Sequence, residues 1–79
     1  MDIKILGKGC PKCVRLEQVA YEAALEVGVN AAISHVTDMA EIVKHVAITP
    51  GLMIDGVVKS SGRVPPKHEI VTWIRESSA

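Results

Sequence analysis

The segment Leu52-Met53-Ile54, Asp55-Gly56, Val57-Val58 constrains the fold more than any other part of the chain. Two short apolar runs flank an Asp-Gly pair, which supplies the positive φ angles of a tight two-residue turn, so the segment reads as an antiparallel hairpin. Upstream, the pattern changes character. Ile3-Lys4-Ile5-Leu6 alternates at its start and stops at Gly7, as a short strand does. From Cys13 onward Leu16, Ala20, Ala23 and Val27 recur every three or four residues, which predicts a helix, and Gly28 suits its left-handed end. Ala31 to Val36 is a weaker strand whose best apolar members are Ile33 and Val36.

Two further helices complete the set. Asp38 followed by Glu41 resembles a capping box with Asp in place of Ser or Thr, and it predicts a short helix carrying Met39, Ile42, Val43 and Val46. Ser60-Ser61-Gly62 breaks the last strand. Pro65-Pro66 then opens a final helix with Ile70, Val71, Trp73 and Ile74 apolar. The predicted order is β-α-β-α-β-β-α. Strands joined through a helix are parallel neighbours, and the hairpin is antiparallel. The expectation is an α/β fold: a four-stranded mixed sheet with three helices on its two faces. On the first long helix Val14, Tyr21 and Leu25 widen the apolar stripe, predicting packing on more than one side.

The chain is short, 79 residues, and reads as one domain over residues 1–79 with no repeat or linker. With no Phe, one Tyr and one Trp, its core must be built from Val, Ile, Leu, Ala and Met. Nine basic and nine acidic side chains cancel, leaving no electrostatic footprint for nucleic acid or an anionic surface. No stretch approaches the roughly 20 apolar residues of a membrane span, and the N-terminus lacks the plan of a secretory signal. A protein of the cytoplasm with neither nucleic-acid nor membrane partners is the expectation.

The chemistry is concentrated in Gly7-Lys8-Gly9-Cys10-Pro11-Lys12-Cys13, which holds both cysteines of the chain. It lies at the carboxyl end of the first strand, where open α/β sheets place their sites. Pro11 fits the first helical position, where its missing N–H is no loss, and Cys10 can cap the helix. A thiol there faces unpaired backbone N–H groups and the positive end of the helix dipole, which favour the thiolate, the nucleophilic form. Lys12 and Lys8 can add positive charge. Cys13, one turn in on the apolar face, should be more buried and less acidic. That asymmetry supplies an attacking and a resolving thiol.

Other readings of these residues stay open. Two small apolar residues at a helix end would be mere packing, although a Gly-rich, Lys-flanked turn is a poor core position. Paired thiolates also suit copper or zinc. A closed zinc site needs four ligands, and His35, His45 and His68 show no ligand spacing with the cysteines. His35 falls in a strand, His45 and His68 on helices. Gly7 and Gly9 around Lys8 do not make a phosphate loop; they read as loop freedom and close backbone approach beside the dithiol. Trp73 reads as core, and Lys12, Arg15, Glu22 and Glu26 as a solvated helix face.

Taken with Thr49-Pro50 before a strand and the Asp-Gly hairpin, Cys-Pro-Lys-Cys after a first strand resembles thioredoxin and glutaredoxin domains. The whole chain is more closely similar to small archaeal and bacterial thioredoxin-like proteins known as redox-active disulfide proteins. The shared features are the minimal length, Gly-x-Gly-Cys-Pro-x-Cys and Thr-Pro followed later by a final helix. The resemblance implies a thiol–disulfide oxidoreductase with Cys10 as nucleophile and Cys13 as resolving thiol, a redox-active Cys10–Cys13 disulfide and no further cofactor or metal. It implies a cis Thr49–Pro50 bond facing the dithiol, with Thr49 offering its main chain to an extended substrate. Pro11, Lys12 and Lys8 tune the thiol.

Disulfide-containing proteins are the implied substrates and a thioredoxin-reductase-type enzyme or small thiol the implied reductant; a monomer is the expected state. The chain also departs from the pattern. Gly9 replaces the aromatic residue that thioredoxins place before the first cysteine, Lys4 stands where they bury a carboxylate, and Lys12 replaces the glutaredoxin Tyr. Two rivals follow: a metal carrier and a non-catalytic redox-sensing adaptor. Copper carriers of similar length end in a strand and usually hold Met where Lys8 stands here.

Overall fold

The computed structural model describes residues 1–78. Strand β1 (Asp2–Leu6) is followed by α1 (Pro11–Val27), β2 (Ala32–Val36), α2 (Met39–Ile42), β3 (Gly51–Ile54), β4 (Val57–Ser61) and α3 (Lys67–Ser78), the expected order. The sheet runs β2-β1-β3-β4. β1 pairs with β2 in parallel, Ile3 opposite Ile33 and Leu6 opposite Val36. It pairs with β3 antiparallel, Ile3 opposite Ile54 and Leu6 opposite Gly51. The strand ending at the dithiol is therefore internal, paired on both edges.

Strand periodicity distributes the core. Ile3 and Ile5 of β1, with Leu52 and Ile54 of β3, point to one face and pack against Leu16, Ala20, Ala23 and Ala24 of α1 and Ile70, Val71 and Ile74 of α3. Leu6 and Met53, offset by one residue, point to the other face and meet Ile42 and Val46. Ala20, Ala23 and Ala24 of α1 share this cluster with Ile70, Val71 and Ile74 of α3. Trp73 is half-buried against the larger core, as the sequence implied.

The helix ends behave as their residues dictate. Gly28 closes α1 with φ 82°, its N–H donating to the Ala24 carbonyl. Asp38 caps α2 by accepting from the Ala40 N–H at 3.0 Å. Only half of the capping box forms, because Glu41 turns instead to Lys44 Nζ at 3.2 Å and His45 Nε2 at 3.5 Å. Asp55 (φ 49°) and Gly56 (φ 83°) make the hairpin turn with the two positive angles expected of them.

Four local expectations change. α1 does pack on two sides, sheet and α3, but through Leu16 and the alanines. Val14, Tyr21 and Leu25 stay more than half exposed because none of the described elements covers their side of the helix. α2 is a single turn: Ile42 and Val46 are buried, Val46 beyond the helix end, while Met39 and Val43 face solvent. His45 accordingly lies in the turn after α2 rather than on a helix. Finally, β4 runs through Ser60 and Ser61 and stops at Gly62 (φ 78°). An irregularity between Leu52 and Met53 sets Leu52 opposite Ser60 and Met53 opposite Val58, skipping Lys59, and pairing resumes through Ser60 and Ser61.

Candidate functional site: a dithiol opposite a cis-proline loop

The two cysteines are held by different parts of one junction. β1 ends at Leu6, and Gly9 (φ 84°) turns the chain so that Cys10 takes the N-cap position of α1 with extended geometry. Pro11 occupies the first turn, and the Val14 N–H donates to the Cys10 carbonyl at 3.1 Å, closing the first helical bond. The Cys10 thiol itself makes no cap hydrogen bond. One turn on, Cys13 is the first buried residue of α1. Both thiols are free, Cys10 exposed and Cys13 fully buried, with the sulfurs 2.8 Å apart in hydrogen-bond contact.

That contact displaces the two thiols in opposite directions. The Cys13 thiol, followed by the main-chain N–H groups of Cys13 and Lys12, holds Cys10 below the ordinary thiol range. Burial pushes Cys13 up, and its role as hydrogen-bond partner of Cys10 adds to the effect. The ion that forms first therefore sits on the sulfur that solvent and a substrate can reach. Lys12 contributes through its backbone amide; its side chain, like that of Lys8, is exposed. A shallow groove of about 290 Å³ between Pro11, Lys12 and Arg15 flanks the junction.

The Thr49–Pro50 peptide bond is cis, and Pro50 is buried. Thr49 belongs to the same corner as the dithiol. Gly7 lies between them, its Cα so placed that a side chain there would meet the sulfur of Cys13 and come to 3.9 Å of Thr49 Cβ. Two residues that sequence reasoning took for a strand break hold this loop. Ser61 Oγ donates to the Ile48 carbonyl at 2.8 Å, and the Gly62 N–H donates to the Pro50 carbonyl at 2.9 Å. Hairpin register counted outward from Asp55-Gly56 does not find them, because the irregularity at Leu52–Met53 sets Ser61 opposite Gly51 instead of Pro50. Between these anchors, among the described residues, no main-chain bond outside the helices and sheet uses the N–H or carbonyl of Thr49.

Other candidates lie elsewhere. Lys4, where a buried carboxylate would stand, is exposed and 4.0 Å from Asp2. His35 faces Glu17 at 3.4 Å beneath α1, and His68 is exposed on α3. Among the described residues no group of three His, Cys, Asp or Glu side chains converges as a metal site would require. A groove of about 400 Å³ between Val14, Glu17, Gln18, Tyr21 and Ile33 includes neither cysteine. No described helix is long and apolar enough to cross a membrane.

A parallel βα unit carrying Cys-x-x-Cys at its turn, beside a cis-proline that opens an antiparallel hairpin, defines a thioredoxin-like protein. Comparison with known proteins agrees. The thioredoxin domain family matches residues 1–75. A thioredoxin of Methanocaldococcus jannaschii is 41% identical over 68 residues, 86% of this chain and 79% of that protein. A thioredoxin of Methanothermobacter thermautotrophicus is 41% identical over 71 residues, 89% of this chain and 92% of that one. The chain belongs to the thioredoxin family, whose thioredoxins are thiol–disulfide oxidoreductases.

Proposed function

We propose that this protein reduces or exchanges disulfides of other proteins through its Cys-Pro-Lys-Cys dithiol. The observation that carries the reading is the 2.8 Å pair of unequal thiols, one exposed and shifted down, the other buried and shifted up. Cys10 thiolate attacks a substrate disulfide, forming a mixed disulfide and releasing one substrate thiol. Cys13 then attacks Cys10 Sγ, the internal disulfide closes, and the second substrate thiol leaves. The protein loses two electrons and the substrate gains them.

Thr49, whose main-chain groups make no bond outside the helices and sheet among the described residues, receives an extended segment of the substrate beside Pro50. Pro11 sets the helix start, and the charges of Lys12 and Lys8 favour the thiolate. A thioredoxin-reductase-type enzyme or a small thiol returns the disulfide to dithiol. The protein acts as a monomer in the cytoplasm, where thiols are kept reduced.

The test is a pair of variants assayed for reduction of a protein disulfide. Cys10→Ser abolishes turnover, and Cys13→Ser accumulates a mixed disulfide with substrate; wild-type turnover by Cys10→Ser would sink the proposal. A redox titration in thiol/disulfide buffers should show one reversible two-electron transition between about −300 and −180 mV. One feature favours a second reading, a redox-sensing adaptor: the position of the assisting carboxylate is held by exposed Lys4. An adaptor would show the same reversible disulfide with negligible turnover. Silence of both thiols until bound copper or zinc is stripped would mark a metal carrier instead.

A further inference from the structure

The two glycines of the Gly-Lys-Gly loop have different reasons to be glycine. Gly9 has φ 84° and nothing within 4 Å of where a side chain would begin, so its requirement is conformational. Gly7 is the opposite. Its φ lies outside the left-handed region, a backbone geometry that any residue adopts, yet a Cβ there would overlap the sulfur of Cys13. Its requirement is volume. Nor can the main chain retreat, because Gly7 is buried and its N–H donates to the Val36 carbonyl at 3.0 Å, extending the β1–β2 ladder by one bond.

We infer that Gly7 is a positioning residue for the resolving thiol: the missing side chain is the seat of Cys13 Sγ. The seat holds the sulfur buried and 2.8 Å from Cys10 Sγ. Side chains occupy discrete staggered wells, and in a helix one of the three is strongly disfavoured. A methyl group at position 7 therefore swings the sulfur into another well, away from Cys10, rather than shifting it slightly. The resolving step suffers most. In it the Cys13 sulfur bonds to Cys10 Sγ, the bond from Cys10 to substrate sulfur breaks, and the leaving thiolate takes up the proton that Cys13 gave to solvent. The inference rests on the dithiol exchange proposed above.

The test is a cycle of Gly7→Ala, Cys13→Ala and the double variant, with redox readouts on Gly7→Ala. In urea, Gly7→Ala should lower the unfolding midpoint in the wild-type background and leave it almost unchanged in the Cys13→Ala background, where the methyl has room. In Gly7→Ala the mixed disulfide formed with a small test disulfide should resolve about tenfold more slowly. The Cys10–Cys13 disulfide should also be about tenfold less favoured, a rise in potential of ~30 mV. Equal loss of stability in both backgrounds overturns the inference. Coupled stability with unchanged resolution and potential overturns it as well, since Gly7 would then serve packing alone. If Gly7→Ala does not fold, the double variant decides: its folding supports the seat and its failure refutes it. A wild-type protein that forms no internal disulfide would instead refute the exchange reaction, while the stability cycle would still report the contact.

Discussion

The two faces of the sheet are unequally built. On one, α1 and α3 lay 17 and 12 residues of helix across Ile3, Ile5, Leu52 and Ile54. On the other, a four-residue helix and its following turn supply Ile42 and Val46 to cover Leu6 and Met53. The site lies where the faces meet: Cys13 is rooted in the inward side of α1, whereas Thr49 lies next to the end of the connection from α2 to β3. The dense face thus roots Cys13 through α1, and the sparse face leads into the Thr49–Pro50 segment proposed to receive substrate. Local openings come from regions with little buried apolar surface, so the sparse face should open more readily than the dense one.

Removing matching core side chains should separate the two faces most. Leu16→Ala should cost about 3–5 kcal/mol in urea unfolding and Ile42→Ala about 2, since the thin face can collapse around its cavity. Equal costs would end the asymmetry. Amide exchange sharpens it: the N–H groups of Ile42 and Val46, bonded to the carbonyls of Asp38 and Ile42, should exchange through local openings, and those of Ala20 and Ala23 only near global unfolding. Removing the α2 cap with Asp38→Ala should cost about 1 kcal/mol.

The thiols test the seam itself. Because only thiolate is alkylated, the pH profile of Cys10 modification should turn below the ordinary ~8.5 and that of Cys13 above it. Cys13, raised by burial, contributes fully below about pH 8.5; as pH rises towards its folded value the unfolded chain ionises first, binds fewer protons, and stability falls. Cys13→Ala should flatten that decline. The smallest effect belongs to the uncovered flank of α1: Leu25→Lys should change stability by no more than ~0.5 kcal/mol, Leu25 being 63% exposed.

The signals along the chain were local. Alternation in Ile3-Lys4-Ile5, the three-to-four spacing of Leu16, Ala20 and Ala23, the glycine at 28 and the Asp-Gly turn each report a preference of neighbouring residues, and each was realised. The dithiol's asymmetry was legible for the same reason: Cys10 and Cys13 are one helical turn apart, and the helix start lies between them. The cis bond at Thr49–Pro50 came only from family resemblance, because a proline's immediate neighbours do not dictate its isomer in a folded chain.

Only the tertiary structure decided which apolar residues found a partner. Val14, Tyr21, Leu25 and Val43 carry the same periodic signal as their buried neighbours, but periodicity marks a face without saying whether anything covers it. It likewise decided where β4 ends, since register is set by pairing with β3 and an inserted residue moves the boundary. It held Thr49, from a loop dozens of residues away, in the corner where Gly7 and Cys13 lie, which the resemblance implied but no residue pattern did. Contact at that distance along the chain depends on how the sheet orders its strands as β2-β1-β3-β4, which no local pattern encodes.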